Sequence, residues 1–158
     1  MLKRLLSVVL LGSCFPAVCL AQNSSAKSEP GRAVPDKALM QKLLDGWSTL
    51  NPDSVAAHYP SGPHTYFDIA PLKYNNWDEY SAGVKKLGAS YKTFKTTLND
   101  DAQVHHDGEV TWATATVREE ATLQTGQRET ATFRWTVIWE KEGGKWMIVH
   151  EHTSEALP

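Results

Sequence analysis

Two histidines flank a glutamate in the stretch "KWMIVHEHTSE", Lys145 to Glu155. Imidazole titrates near neutral pH and passes a proton either way, so His150 and His152 are candidate catalytic groups. In a largely apolar site their neutral form is favoured, which suits a base or an electrophile. Asp68, in "YFDIA", is the third candidate, because a carboxylate in an apolar pocket has its pKa raised toward the range useful for proton transfer. Arg134 can hold a ligand carboxylate through two parallel hydrogen bonds, and Thr136 shares its side of the strand. Tyr66, Tyr74, Trp77 and Trp112 can supply an aromatic wall or a phenolic proton. Each group also has a plain structural role open to it. The histidines can complete a polar corner of the core, and Asp68 can pair with Arg134. Arg134 can equally pair with Glu120, and Trp77 can pack at a helix start.

His-x-His on a strand is a metal-ligand pattern. The other histidines, His58, His64, His105 and His106, add no third ligand at a telling spacing, so no metal site is expected. No phosphate loop, dinucleotide fingerprint or nucleophile elbow is present, and Ser154 lacks the context of a serine hydrolase. No cofactor is expected.

The elements that must position these residues fall into two groups. In "PDKALMQKLLDGWSTLN", Leu39, Met40, Leu43, Leu44, Trp47 and Leu50 recur at three- and four-residue intervals, one apolar stripe of a helix. Asn51 and Pro52 stop that helix and start a short one, "PDSVAAHY". "HTYFDIA" has strand composition and "PLKYNN" reads as a loop. Asn76 and Glu79 form a capping box for a third helix, "WDEYSAGVKKL". From Tyr91 onward threonine, valine and aromatics dominate, with turns at "HDG", "TGQ" and "EGGK". Four meander strands are expected, near 91–104, 109–123, 128–141 and 145–154. Helices followed by strands make the class α+β, with helices on one face of an antiparallel sheet.

Strand alternation predicts where side chains point. If Trp146 and Ile148 anchor the core, His150 and His152 continue on the core side and Glu151 faces outward. Arg134, Thr136 and Ile138 are expected on the cavity side, with Phe133, Trp135, Val137 and Trp139 on the outer face. If Phe67 and Ile69 face the core, Tyr66 and Asp68 point elsewhere. The outer set is too apolar for open water, so a homodimer through the outer sheet face is expected.

Residues 1–21 read as a signal peptide: Lys3 and Arg4, then an apolar run, then Cys19-Leu20-Ala21 as a cleavage site. Lipidation at Cys14 is the less favoured alternative, because the apolar run continues past it. The mature protein is therefore expected in the periplasm or secreted, with no membrane association after cleavage. Cleavage removes both cysteines, leaving neither disulfide nor thiol nucleophile. It also removes Lys3 and Arg4, leaving 14 basic against 18 acidic residues, a charge of −4. That balance disfavours nucleic acid as a partner. Residues 22–34 read as a flexible lead-in and residues 35–156 as one domain.

Three stretches, "YFDIAPLKYNNWDEY" (66–80), "FRWTVIWEKEGGKW" (133–146) and "GKWMIVHEHTS" (144–154), resemble the SnoaL-like proteins of the nuclear transport factor two-like superfamily. That superfamily also includes ketosteroid isomerase and scytalone dehydratase. The resemblance covers about residues 36–155; Asn76 stands where related sequences often carry glycine before the tryptophan. It implies a cone-shaped α+β barrel, a strongly curved antiparallel sheet with about three N-terminal helices on its concave face. Such cones host cofactor-free isomerases, cyclases, dehydratases and hydrolases, and also plain binding modules, so fold does not decide function. The resemblance implies that Asp68 stands where ketosteroid-isomerase-like enzymes could place a general base. Together with the residue chemistry above, the expectation is Asp68 and one of His150 or His152 as base and acid, with Arg134 orienting an apolar or aromatic ligand. The alternative is a non-catalytic small-molecule-binding or association module.

Overall fold

The structure, a computed structural model, describes residues 33–69 and 71–156. The expected signal peptide and residues 22–32 of the lead-in lie outside the described residues. Helix α1 (Lys37–Trp47) starts where the Asp36 carboxylate accepts the Leu39 N–H at 2.8 Å, and it buries Met40, Leu43 and Leu44. Asn51 then caps a 3-10 turn, Pro52–Ser54, and a second turn, Ala56–His58, follows. The helix expected over "PDSVAAHY" is thus two 3-10 turns broken at buried Val55, and the described residues form two α-helices rather than about three.

Strand β1 (Pro63–Phe67) is followed by β2 (Tyr74–Asn76), a short strand inside the expected loop. Helix α2 (Trp77–Gly88) begins with the expected asparagine cap: Asn76 accepts the Glu79 N–H at 2.8 Å, while Glu79 accepts the Asn75 N–H at 2.9 Å. Asp78 and Glu79 at its start and Lys85 and Lys86 at its end complement the helix dipole. The remaining strands are β3 (Tyr91–Leu98), β4 (Gln103–Asp107), β5 (Val110–Leu123), β6 (Arg128–Glu142) and β7 (Lys145–Glu155). The strand expected at 91–104 is split because Asp101 accepts two bonds from Thr116, at its N–H and hydroxyl, both 2.9 Å. β3 and β4 therefore pair with two successive halves of β5. Gly143 and Gly144, both at positive φ (55° and 82°), close the β6–β7 hairpin in a two-residue turn.

The seven strands form one curved sheet in the order β2-β1-β7-β6-β5-β3, with β4 beside β5. β1 runs parallel to β7, so the sheet is mixed rather than antiparallel throughout. Gln41 of α1 accepts the Leu98 N–H at 2.8 Å, and Ser48 accepts the Thr96 N–H at 2.9 Å, pinning α1 to β3.

The faces of β6 are the reverse of the sequence expectation. Phe133, Trp135, Val137 and Trp139 are buried with Trp146 and Ile148, whereas Arg134 is exposed and Thr136 and Ile138 are partly exposed. Four large apolar side chains are worth more inside than a set containing a guanidinium, at roughly 1.5–3 kcal/mol for each fully buried side chain. The apolar face invoked for dimerisation is therefore the core face.

The expected alternation on β7 also breaks, for a local reason. Trp139 pairs with Ile148 and Ile138 with His150, which leaves Val149 as an extra, bulged residue. One inserted residue reverses the facing of everything beyond it. Trp146 and Ile148 point inward before the bulge, and Glu151 points inward after it, only 2 % exposed. His152 is exposed.

Candidate functional site

The concave face of the sheet, α1 and α2 enclose a cavity of about 590 Å³. Leu44 and Trp47 of α1 and Tyr80, Val84 and Leu87 of α2 form one wall. Phe94 of β3 and Phe133 and Trp135 of β6 form the other. A space of this size, apolar with a few convergent polar groups, suits a small organic molecule.

The polar centre of the cavity is Glu151. Its Oε2 accepts the Tyr59 hydroxyl at 2.6 Å, and its Oε1 accepts the Trp135 indole N–H at 3.0 Å. Burial pushes its carboxyl up to about 7; the hydrogen bonds from Tyr59 and Trp135 oppose that rise, and the charge of Asp68 adds to it. Tyr59 is itself buried, packed in an aromatic stack on Trp77 at 4.2 Å. Burial, and then the Glu151 charge, raise its hydroxyl well above the usual phenol range. The same two causes raise Tyr80. Tyr59 thus stays a hydrogen-bond donor at all physiological pH values.

Asp68 lines the same cavity, beyond the end of β1, with Oδ1 accepting the Ile69 N–H at 2.7 Å. Burial raises its pKa, and the Ile69 hydrogen bond works against that. Its position follows from a second reversal. Tyr66 is fully buried and Phe67 is 36 % exposed, the opposite of the sequence expectation, so the residue two beyond Tyr66 turns inward. The parallel register of β1 on β7 agrees: Tyr66 lies beside Glu151, and Phe67 beside His152.

The other residues singled out from the sequence lie elsewhere. His150 is half-buried on the outer side, its Nδ1 2.7 Å from the Thr65 carbonyl oxygen and its ring edge-on to Phe67 at 5.5 Å. His152 also meets Phe67 edge-on, at 5.7 Å. Both histidines were expected to point into the cone and neither lines the cavity. Arg134 donates to the Glu155 backbone carbonyl at 3.2 Å instead of facing a ligand. Thr136 pairs with His152 on the outer side. Trp112 is 37 % exposed, stacked on His105 at 5.3 Å.

Tyr66, Tyr74 and Trp77 belong to the aromatic core behind the cavity rather than to its lining. Tyr66 donates to the Ile148 carbonyl at 3.3 Å. Tyr74 lies against Gly83, where any Cβ would overlap its ring. Asp68 is the one residue of the expected set that lines the cavity.

Sequence reasoning missed Glu151, Tyr59, Trp135 and Tyr80. A signal was available for the first and third. The more apolar face of β6 belongs inside, and pairing β7 against it sets Glu151 opposite Val137 and Thr153 opposite Trp135. Tyr59, which is 92 residues from Glu151 in sequence, had no such signal.

Comparison with known proteins agrees with the architecture. A nuclear transport factor 2-like superfamily protein from Salmonella enterica serovar Typhimurium superimposes with a TM-score of 0.68 at 18 % identity, over 75 % of this chain and 87 % of that one. A Xanthomonas campestris protein, provisionally named a calcium/calmodulin-dependent protein kinase II association domain, gives 0.66 at 20 % identity, over 80 % and 94 %. A Novosphingobium aromaticivorans protein, provisionally named a scytalone dehydratase, gives 0.67 at 9 % identity, over 76 % and 80 %. At these identities the likeness is one of fold. No curated protein matches the chain. The sequence profile of the SnoaL-like domain matches residues 37–158, and the chain belongs to that family.

Proposed function

We propose that this chain acts outside the cytoplasm, after removal of residues 1–21, as a small-molecule-binding SnoaL-like domain that moves protons on its ligand without a cofactor. The observation that carries the reading is Glu151: a buried carboxyl at the centre of an aromatic cavity, pushed up to about 7. A group poised there is half ionised at neutral pH, the condition for efficient proton transfer in either direction. Tyr59 and Trp135 each engage one oxygen, Tyr80 is a third hydrogen-bond partner, and two carboxylate oxygens can accept more than these three bonds. Asp68 is the second carboxyl. Each charge disfavours the other, so the pair holds one proton over part of the pH range. In an isomerisation, the ionised carboxyl takes a proton from a ligand carbon and the protonated one delivers a proton elsewhere on the ligand. In a dehydration, the ionised carboxyl takes a proton from the carbon next to the one bearing the hydroxyl. The new double bond forms, and the protonated carboxyl gives its proton to the hydroxyl, which leaves as water. His150 and His152 have no part in either scheme, since neither reaches the cavity.

The test is hydrogen–deuterium exchange at the carbon beside the carbonyl of bicyclic aryl ketones, neutral and ammonium-bearing, followed by proton NMR in heavy water. Wild-type protein is expected to accelerate exchange on at least one ketone, and Glu151→Gln to abolish that acceleration while still binding it. Exchange that survives Glu151→Gln would end the proton-transfer reading. Binding without exchange in the wild type would leave a binding module.

A second reading, an association module, is supported by the outer face. Trp112 lies in one cross-strand row with Ile138 and His150, and Phe67 is exposed beside His152. A homodimer through this face is the form proposed. Light scattering at micromolar concentration tests it: a dimer that Trp112→Glu dissociates is expected, and a clean wild-type monomer rules it out.

A further inference from the structure

We propose that the ligand of this cavity is an organic cation, an apolar or aromatic amine or quaternary ammonium compound; this deepens, and rests on, the small-molecule reading above. Every charged side chain that lines the cavity is a carboxylate: Asp68, Glu119, Glu129, Glu151 and Glu155. Among the described residues no lysine, arginine or histidine lines it. Glu151 and Asp68 have the proton-transfer role given above, but Glu119, Glu129 and Glu155 have none in it, and five carboxylates would repel an acidic ligand.

The three outer carboxylates are placed by register on adjacent strands. Glu119 of β5 lies opposite Ala131, Glu129 of β6 opposite Ala121, and Glu155 of β7 opposite Phe133. All three face the concave side at the end of the cavity occupied by Tyr91. Two nearby arginines are turned away: Arg118 pairs with Glu120 at 2.8 Å, and Arg134 bonds the Glu155 backbone rather than its carboxylate. Arg128, next to Glu129 on β6, falls on the opposite side of the strand by alternation.

The electrostatic consequence is visible in the groups themselves. Burial, then the charges of Glu155, Glu129 and Asp68, raise Glu119, and the same mouth carboxylates raise the Tyr91 hydroxyl after burial does. A monovalent cation seated among them relieves repulsion that the folded chain leaves standing. Among the described residues no three acidic, histidine or cysteine groups come together closely enough to hold a metal ion. The walls suit a charge carried on a larger body. Trp47, Phe94, Phe133 and Trp135 present ring surfaces, and aromatic faces attract ammonium groups within about 6 Å of the ring centre.

The test uses three biphenyl probes of one shape, titrated by calorimetry into the mature protein: 4-phenylbenzyl-trimethylammonium, 4-phenylbenzyl alcohol and biphenyl-4-acetate. The cation is expected to bind at least tenfold more tightly than the alcohol, and the anion most weakly. The gap should narrow at 0.5 M sodium chloride. The double variant Glu119→Gln, Glu129→Gln should weaken the cation severalfold and leave the alcohol unchanged; circular dichroism verifies its fold. If the alcohol or the anion binds as tightly as the cation, the charge inference is overturned while the cavity reading stands. It is overturned equally if the double variant, folded, binds the cation as the wild type does. If none of the three binds at millimolar concentration, the cavity reading falls and this inference with it.

Discussion

Replacing Glu151 with glutamine should remove a specific slope from the dependence of stability on pH. In the unfolded chain this carboxyl titrates near 4.5, and in the folded protein burial pushes it up to about 7. Between those values the native state binds more protons than the unfolded state, so unfolding free energy falls as pH rises. The stabilisation from the neutral, buried acid is complete below pH 4.5, is lost progressively up to about 7, and changes no further above that. The gap corresponds to about 3 kcal/mol, a substantial share of the 5–15 kcal/mol typical of a whole domain. Glutamine keeps the size of the side chain and never ionises. Urea unfolding of both proteins at half-unit steps from pH 4 to pH 8.5 isolates the effect. Asp68 and Glu119 also titrate upward-shifted, and both proteins retain them, so the subtraction leaves the share of Glu151 together with its coupling to Asp68. The wild-type-minus-variant difference should move against the wild type by about 3 kcal/mol between pH 4.5 and 7.5. A difference that stays flat within about 0.5 kcal/mol would mean that Glu151 ionises freely in the folded protein. Its role as a poised proton carrier would go with it.

Three further changes probe the same geometry. Tyr59→Phe deletes the 2.6 Å donor to Glu151, so the carboxyl should titrate still higher by carbon-detected NMR. The protein should lose about 1–3 kcal/mol above neutral pH, as a buried charge gives up a partner. Trp135→Ala, at a 3 % exposed core position, should cost about 3–5 kcal/mol in urea without changing the oligomeric state seen by light scattering. His152→Gln should shift stability by less than about 0.5 kcal/mol and leave probe affinity unaltered, because the ring lies exposed on the outer side. A loss of binding in that variant would mean that the ring reaches the ligand after all.

The fold was legible in the sequence where local chemistry alone decides it. The three- and four-residue spacing of Leu39, Met40, Leu43 and Leu44 and the Asn76 cap each specify an element within one or two turns. The "EGGK" hairpin reads the same way, from its two glycines. Elements whose form depends on distant partners were not legible. β2 exists because β1 lies beside it, and the break after β3 exists because Thr116 donates twice to Asp101. The helix over "PDSVAAHY" became two turns around Val55, which packs in the core instead of continuing the spiral.

The candidate site was misread through one residue. Alternation from Trp146 is a sound rule until the strand carries an odd insertion, and Val149 is such an insertion. Nothing in "MIVHEH" marks the bulge: it contains no glycine, and any of its middle residues could be the extra one. Yet the neighbouring strand constrains the answer. Phe133, Trp135, Val137 and Trp139 are collectively too apolar for any face but the core, which fixes the inward side of β6 without reference to β7. β7 must then satisfy two demands at once. Trp146 and Ile148 belong inside at one end, and at the other a carboxylate or an imidazole must sit opposite Val137 and beside Trp135. An indole N–H buried in the core needs an acceptor, and a carboxylate offers two oxygens where a neutral imidazole offers one nitrogen. Tyr59 brings a second buried donor to the same spot, which a single imidazole acceptor could not satisfy together with Trp135. Glu151 meets both demands, and the bulge at Val149 is what lets it do so while Trp146 stays buried. The ionisable group at the heart of the cavity is thus selected by the donors that surround it, and the histidines beside it are carried to the outer face by the same half-turn of the chain.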